Sequence, residues 1–139
     1  MQQYDWLETD LESLRRQHQL ILNSVGEGVY GVDLAGNATF INPAGAQMIG
    51  WDAEDLLGRS MHAVLHHSHS DGTHYPREKC PIYAAFQDGI VHRVTDEVFW
   101  RKDGTSFPVE YISTPMRDEQ GKLIGAVVAF RDITKWKWA

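Results

Sequence analysis

Five of the seven histidines lie within thirteen residues of the chain, and the only cysteine follows shortly after them. The histidines are His62, His66, His67, His69 and His74, and the cysteine is Cys80. Imidazole is the commonest metal ligand among protein side chains and the one that changes charge near neutral pH. The cluster therefore indicates one of three things: a metal or haem site, a pH-sensitive surface, or a polar loop without a ligand.

A zinc-type site is one interpretation of this spacing. His62 and His66 are four residues apart and share one face if a helix extends that far. His69, His74 or Cys80 could then complete a tetrahedron of nitrogen and sulfur ligands. The spacings match no known zinc pattern, however, and the cluster spans a helix and a loop, so the sequence alone assigns no metal ligand.

Composition narrows the class of protein. The 139 residues fit one domain, and a net charge of −6 argues against a nucleic-acid partner, because phosphate contacts need a basic face. No apolar run approaches the roughly 18 residues of a membrane span, and the first ten residues lack the pattern of a secretory signal. A single cysteine cannot form an intramolecular disulfide. We therefore expect a cytoplasmic module without membrane contact.

Catalysis is not expected from the residue types. Serine, histidine and aspartate occur together at positions 66–71, but neighbours in one loop seldom form a nucleophile, base and orienting group. No glycine-rich phosphate loop follows a strand, and no pair of carboxylates stands out. We therefore predict no catalytic residue.

The first 24 residues are predicted to form a dimerisation helix. Apolar residues of the stretch 4–25 recur at alternating intervals of four and three, if His18 fills the skipped position. This is the seam of a coiled coil. An amphipathic helix that folds back on its own domain is the alternative. The predicted interface residues are Leu7, Leu11, Leu14, His18 and Ile21.

After residue 26 the pattern changes to short strands and helices. Two strands, 29–33 and 38–42, flank a turn at Gly36-Asn37. Three short helices follow, over 43–49, over 53–57 and after Ser60, with Asn42, Asp52 and Ser60 as predicted N-caps. The histidine-rich stretch contains Ser, Asp-Gly and Pro and is predicted to be a loop, which a helix from Pro81 to Phe86 follows.

The last third is predicted to be a three-stranded meander over 91–100, 106–116 and 123–130. In the first of these strands, alternation places Val94, Val98 and Trp100 on one face, and Val91, Thr95 and Phe99 on the other. The strand over 123–130 is apolar on both faces, so we expect it to be central and covered. The predicted fold class is α+β, a five-stranded antiparallel sheet with short helices on one face.

Two groups of motifs stand out among these elements. The first group is Asn42-Pro43-Ala44, Ile49-Gly50-Trp51 and Glu54-Asp55-Leu56-Leu57-Gly58-Arg59-Ser60. The second group is Arg101-Lys102-Asp103-Gly104-Thr105, Phe107-Pro108-Val109-Glu110, Gly121–Gly125 and Asp132-Ile133-Thr134. In this order, the two groups resemble the first and second halves of the PAS domain family, over residues 22–134.

The resemblance implies a sensory and dimerisation module of a signalling protein: a histidine kinase, a diguanylate cyclase or a transcriptional regulator. It implies a PAS domain over 25–134, and residues 135–139 as the start of a signalling helix launched by Asp132-Ile133-Thr134. The output domain is then expected outside this chain, and the N-terminal helix is expected to make a homodimer. A ligand-free interaction module is the main alternative.

The resemblance also places the histidine-rich region against the cavity in which this family binds ligands. Haem b, held by a neutral histidine nitrogen, is one candidate cofactor, and covalent haem is excluded because no Cys-x-x-Cys-His is present. The candidate cofactor-binding residues are His66, His67, His69, His74 and Trp100. Cys80 lies in Glu-Lys-Cys-Pro-Ile rather than the Asn-Cys-Arg-Phe of flavin photoreceptors, so flavin is not expected. The sequence leaves the ligand unidentified.

Overall fold

The structure is a computed structural model that describes residues 26–137. The strands within this range are β1 (Gly28–Asp33), β2 (Ala38–Ile41), β3 (His92–Trp100), β4 (Ser106–Arg117) and β5 (Leu123–Asp132). They form one antiparallel sheet in the order β2-β1-β5-β4-β3. The helices are α1 (Pro43–Ile49), α2 (Ala53–Leu56), α3 (Met61–Leu65), α4 (Pro81–Asp88) and α5 (Thr134–Lys137), with a 3-10 turn at Arg77–Lys79. The predicted α+β class is confirmed.

Side-chain caps set the start of two of the short helices. Asn42 accepts from the Gly45 amide at 3.0 Å and begins α1, and Ser60 accepts from the Ala63 amide and begins α3. Both predicted caps are confirmed. Asp52 precedes α2 as predicted, but its side chain makes no capping hydrogen bond within residues 26–137. The N-terminus of α2 instead carries Glu54 and Asp55, whose charges suit the helix dipole.

A bulge in β3 changes which of its residues face the helices. Val94 pairs with Tyr111 and Glu97 pairs with Val109, so two residues of β3 stand opposite one residue of β4. Directly paired residues share a face of the sheet, and Tyr111 and Val109 are both buried. Val94 therefore lies on the inner face with Glu97. The prediction that Val94 shares the face of Val98 and Trp100 was wrong, because simple alternation does not allow for the extra residue of a bulge.

The core lies between one face of the sheet and the helices. Alternation along β4 puts Phe107, Val109, Tyr111 and Ser113 on one face of the strand, and all four are buried. Strand β5 occupies the central position of the sheet, as predicted. Only one of its faces is fully covered, since Val127 and Ala129 on the other face remain partly exposed. The expectation that both faces are covered was therefore wrong.

Two predictions concern residues outside the described range. The predicted dimerisation helix over 1–24, with Leu7, Leu11, Leu14, His18 and Ile21, precedes the described residues, and the last two residues of the predicted signalling helix follow them. Between residues 26 and 137, no helix has both the length and the apolar character needed to cross a membrane.

Candidate functional site

His66 lies at the end of α3 and is completely buried. Its ring is surrounded by aromatic side chains, with centroid distances of 4.5 Å to Tyr75, 5.4 Å to Phe99 and 5.7 Å to Tyr111. A buried imidazole needs partners for its two ring nitrogens, because an unpaired polar group is costly away from water. Both nitrogens of His66 have such partners.

The two nitrogens of His66 join three separate elements. Nδ1 lies 3.1 Å from Sγ of Cys80, the residue that precedes α4, and Nε2 lies 2.7 Å from Oε1 of Glu97 on β3. These partners are 14 and 31 residues away in sequence. One buried side chain thus connects α3, the start of α4 and the sheet.

Glu97 is the common acceptor of this network. Besides His66, the hydroxyl of Tyr111 donates to Oε1 at 2.7 Å, and the hydroxyl of Tyr75 donates to Oε2 at 2.6 Å. Glu97 directly follows the bulge in β3 and lies on the inner face with Phe99, although 19% of its side chain stays exposed. We call His66, Cys80, Glu97, Tyr75 and Tyr111 the buried cluster.

The surroundings of the buried cluster favour a charged histidine. Burial alone would lower the pKa of His66, but its hydrogen bonds to Cys80 and Glu97 raise that pKa to about 9. Burial would raise the pKa of Glu97, but hydrogen bonds from His66, Tyr111 and Tyr75 lower it to about 2. At neutral pH the cluster therefore contains an imidazolium and a carboxylate.

Cys80 completes this arrangement as an acidified thiol. Burial raises the pKa of its thiol, but contacts with His62 and His66 lower the pKa to about 6. A thiol, an imidazole and a carboxylate in this order are also the parts of a cysteine nucleophile. Only 2% of Cys80 is exposed, however, so a substrate in solution does not reach its sulfur in this conformation.

His62 stands one helical turn before His66 and faces the same sulfur. Its Nε2 lies 2.7 Å from the backbone oxygen of Tyr75, and its Nδ1 is buried without a hydrogen-bond partner among residues 26–137. The donor atoms of His62, His66 and Cys80 all lie within 4.8 Å of one another. These are the residues of the site that could hold a metal ion.

Two small cavities adjoin the buried cluster. One has about 20 Å³ for the centre of a water molecule and is lined by His62, Cys80 and Tyr30 among others. The second, beside Tyr75 and Glu97, has about 60 Å³. A buried water needs roughly 10–15 Å³ of cavity, so each cavity holds one or a few waters. Haem needs a far larger pocket, on the order of several hundred Å³, and does not fit this conformation.

The structure separates the predicted cofactor residues rather than gathering them around one ligand. His67 stacks on Trp100, whose Nε1 donates to the backbone oxygen of Ser68. His69 stacks on Tyr75 at 4.3 Å, and His74 is exposed and forms a β-bridge with Ser68. The stretch is a folded loop, as predicted, and of the five candidates only His66 enters the buried cluster.

Sequence reasoning missed the acceptor at the centre of the site. Glu97 lies two residues before Phe99 and therefore on the same face of the strand. An acidic residue on the same face as a large apolar one was the signal that could have identified it. The roles of Tyr75 and Tyr111 left no such signal, because a tyrosine in a loop or strand is ordinary core material. Their hydroxyl partners depend on chain segments 14 and 22 residues away.

The five-stranded antiparallel sheet, with short helices packed over one of its faces, gives this chain the fold of a PAS domain. The model of the PAS family, described as PAS fold, matches residues 16–133, and the chain belongs to this family. A crystal structure of a PAS domain from Colwellia psychrerythraea superimposes with a TM-score of 0.71 at 21% identity, over 88% of this chain and 98% of that one.

Curated relatives place such domains in signalling enzymes. The chain is 33% identical over 116 residues to the probable diguanylate cyclase DgcE of Escherichia coli (strain K12), covering 84% of this chain and 10% of that protein. It is 25% identical over 127 residues to the signal transduction histidine-protein kinase AtoS of the same organism, covering 91% of this chain and 19% of AtoS. The chain thus spans less than a fifth of the length of either relative.

Proposed function

We propose that this chain is the sensory module of a cytoplasmic signalling protein and that the buried cluster is the point at which the signal is received. The output domain would be a diguanylate cyclase, a histidine kinase or a transcriptional regulator, and the module itself would not be catalytic. The proposal depends on one observation about strand pairing. Glu97 pairs with Val109, and Val109 pairs with Asp132, so the three residues lie in line across β3, β4 and β5.

This alignment connects the buried cluster to the end of the domain. Neighbouring strands are about 4.8 Å apart, so Glu97 and Asp132 are separated by only about 10 Å of hydrogen-bonded sheet. Asp132 accepts from the backbone amide of Thr134, the first residue of α5, at 2.9 Å. The amide of Ile133 donates to the oxygen of Pro108 on β4 at 3.0 Å. A change in the charge or contacts of Glu97 would therefore act on the strands that hold the start of α5.

A ligand can drive such a change only through different affinities for two states of the domain. The buried cluster suits this requirement, because a gained or lost charge is far more costly in its interior than in water. Binding or proton transfer at His66 or Cys80 would shift the population towards the conformation that better accommodates the new charge. The pH-sensing role expected for the histidines is one form of this mechanism.

Amide NMR spectra of the chain test this connection. Glu97→Gln removes the charge at the centre of the cluster, and Asp96→Asn removes the same charge from the exposed neighbouring residue. We expect Glu97→Gln to shift the amide signals of Ile133 and Thr134, and Asp96→Asn to leave them in place. Unchanged signals at both residues in Glu97→Gln would refute the proposed route.

Homodimerisation is the second part of the proposal. The heptad seam of Leu7, Leu11, Leu14, His18 and Ile21 would join two copies, so that a change at α5 is passed on by a pair of helices. The small volumes of the two cavities, about 20 and 60 Å³, favour one alternative: a module that dimerises without a small ligand. Mass spectrometry of the freshly purified, denatured protein distinguishes a ligand-binding module from a ligand-free one, because only the former releases a small molecule in stoichiometric amount.

A further inference from the structure

Three donor atoms meet next to the smaller cavity. His62 is partly buried, His66 and Cys80 are buried, and the three donor atoms lie within 4.8 Å of one another. In a tetrahedral zinc site, bonds of 2.0–2.3 Å separate neighbouring ligand atoms by about 3.5 Å. Nδ1 of His66 already lies 3.1 Å from Sγ of Cys80, so side-chain movements of about 1 Å would bring the three atoms to these distances.

The hydrogen bonds of the two histidines leave the Nδ1 atom of each ring directed towards the proposed metal position. Nε2 of His62 lies 2.7 Å from a backbone carbonyl, which only accepts, so this nitrogen carries a hydrogen and Nδ1 is the ring nitrogen left to bind a metal ion. Nε2 of His66 likewise faces the carboxylate of Glu97, and Nδ1 points at Cys80. Metal-binding histidines in proteins are held in the same way, with the second ring nitrogen donating to a carbonyl or carboxylate.

Two buried polar atoms at this position lack partners among residues 26–137. They are Nδ1 of His62 and the hydroxyl of Tyr30, a residue that is fully buried. Both residues line the cavity of about 20 Å³, as does Cys80. Buried polar atoms are normally satisfied, so each unpaired one points to a missing partner. A metal ion would satisfy His62, and a water bound to that ion would suit Tyr30.

We propose that His62, His66 and Cys80 bind a divalent metal ion of the zinc type, with a water in the adjoining cavity as the fourth ligand. Imidazole and thiolate are ligands that zinc prefers, and three protein ligands with one open position make a site that can exchange its ion. Binding displaces the hydrogen shared by His66 and Cys80, so one proton leaves for each ion bound. The inference deepens the proposed function, on which its sensory meaning rests, because it names the class of ligand.

The geometry also explains how binding of the ion would affect the strands. Glu97 bonds to His66, and its cross-strand partners lead to Asp132. A movement of the His66 ring towards the metal would change its hydrogen bond to Glu97, the first of the three residues aligned across β3, β4 and β5. The exposed histidine His74 takes no part, although it belongs to the same dense stretch of sequence.

Titration of the chelator-treated chain with Zn²⁺ and with Co²⁺ tests the site. We expect one ion per chain, release of one proton in calorimetry with buffers of different ionisation enthalpy, and a thiolate-to-cobalt absorption band in the near ultraviolet. Losing even an orienting partner of a metal ligand weakens binding about 10–100-fold, so His62→Gln, which removes a ligand itself, should weaken Zn²⁺ binding at least tenfold. Cys80→Ser should abolish the cobalt band, and His74→Gln should bind like the wild type.

Each outcome decides the question. His62→Gln alters a partly buried side chain and serves as the test if Cys80→Ser fails to fold, as judged by circular dichroism. Substoichiometric Zn²⁺, a cobalt spectrum without a thiolate band, or equal affinity in His62→Gln would overturn the metal site. Stoichiometric binding that leaves the amides of Ile133 and Thr134 unchanged would support the site and reject the sensory role instead.

Discussion

Replacing Glu97 by glutamine is expected to destabilise the metal-free domain by about 3 kcal/mol. The carboxylate accepts hydrogen bonds from His66, Tyr75 and Tyr111, and bonds to a charged group contribute about 1.5–3 kcal/mol each. Glutamine keeps one acceptor oxygen and loses the charge. Breaking a buried ion pair costs about 3–5 kcal/mol, and the partial exposure of Glu97 places this variant at the lower end.

The pH dependence of this difference follows from two pKa shifts. The lowered pKa of Glu97 contributes stability above its unfolded value of about 4.5, and this contribution is lost as the pH falls towards 2. The raised pKa of His66 contributes stability below its unfolded value of about 6.5, and this is lost as the pH rises through 9. The gap between wild type and Glu97→Gln should therefore be widest between pH 4.5 and 6.5.

Urea unfolding in the presence of a chelator measures this gap. With a slope of about 1–3 kcal/mol per molar urea, a loss of about 3 kcal/mol should lower the midpoint of Glu97→Gln by about 1–3 M near pH 6. The matched control is Asp96→Asn, which removes an exposed charge and should change stability by less than about 0.5 kcal/mol. Equal midpoints for Glu97→Gln and Asp96→Asn, or a gap that stays constant from pH 5 to pH 10, would refute the ion pair.

Three further substitutions test separate features. Asn42→Ala removes the cap of α1 and should cost about 2 kcal/mol in urea unfolding, and an unchanged midpoint would show that the cap is dispensable. Gly125→Ala would place a Cβ 2.0 Å from the backbone oxygen of Val32, so we expect a loss of more than about 2 kcal/mol, and a stable variant would contradict the close β1–β5 pairing. Leu11→Glu combined with Leu14→Glu should yield a monomer in analytical ultracentrifugation, and a persisting dimer would exclude the heptad seam.

Elements with a local signal were predictable from the sequence. The alternation of Phe107, Val109 and Tyr111 places them on one face of β4, which the structure buries, and Asn42 and Ser60 identified two helix starts. These features depend on neighbouring residues, so the local pattern contains the information. The bulge in the middle of β3 was not predictable in this way. Its one extra residue moves Val94 to the opposite face from the one that simple alternation predicts.

The buried cluster was only partly predictable for the same reason. The density of histidines pointed to the right stretch of chain, but only tertiary packing selects His66 over its neighbours. Its partners lie 14 and 31 residues away, and no local spacing connects them. The cluster also unites a loop cysteine with a strand carboxylate, which periodicity alone does not pair.

The protonation state of His66 is the most direct test of the buried cluster on which the proposed sensing depends. Labelled histidine ring signals in chelator-treated protein report this state by NMR, and His66→Gln assigns the signal. We expect His66 to remain an imidazolium at pH 7.5 and to lose its proton near pH 9. A ring that titrates near 6.5, the value of a histidine in water, would contradict a charged cluster beneath the sheet.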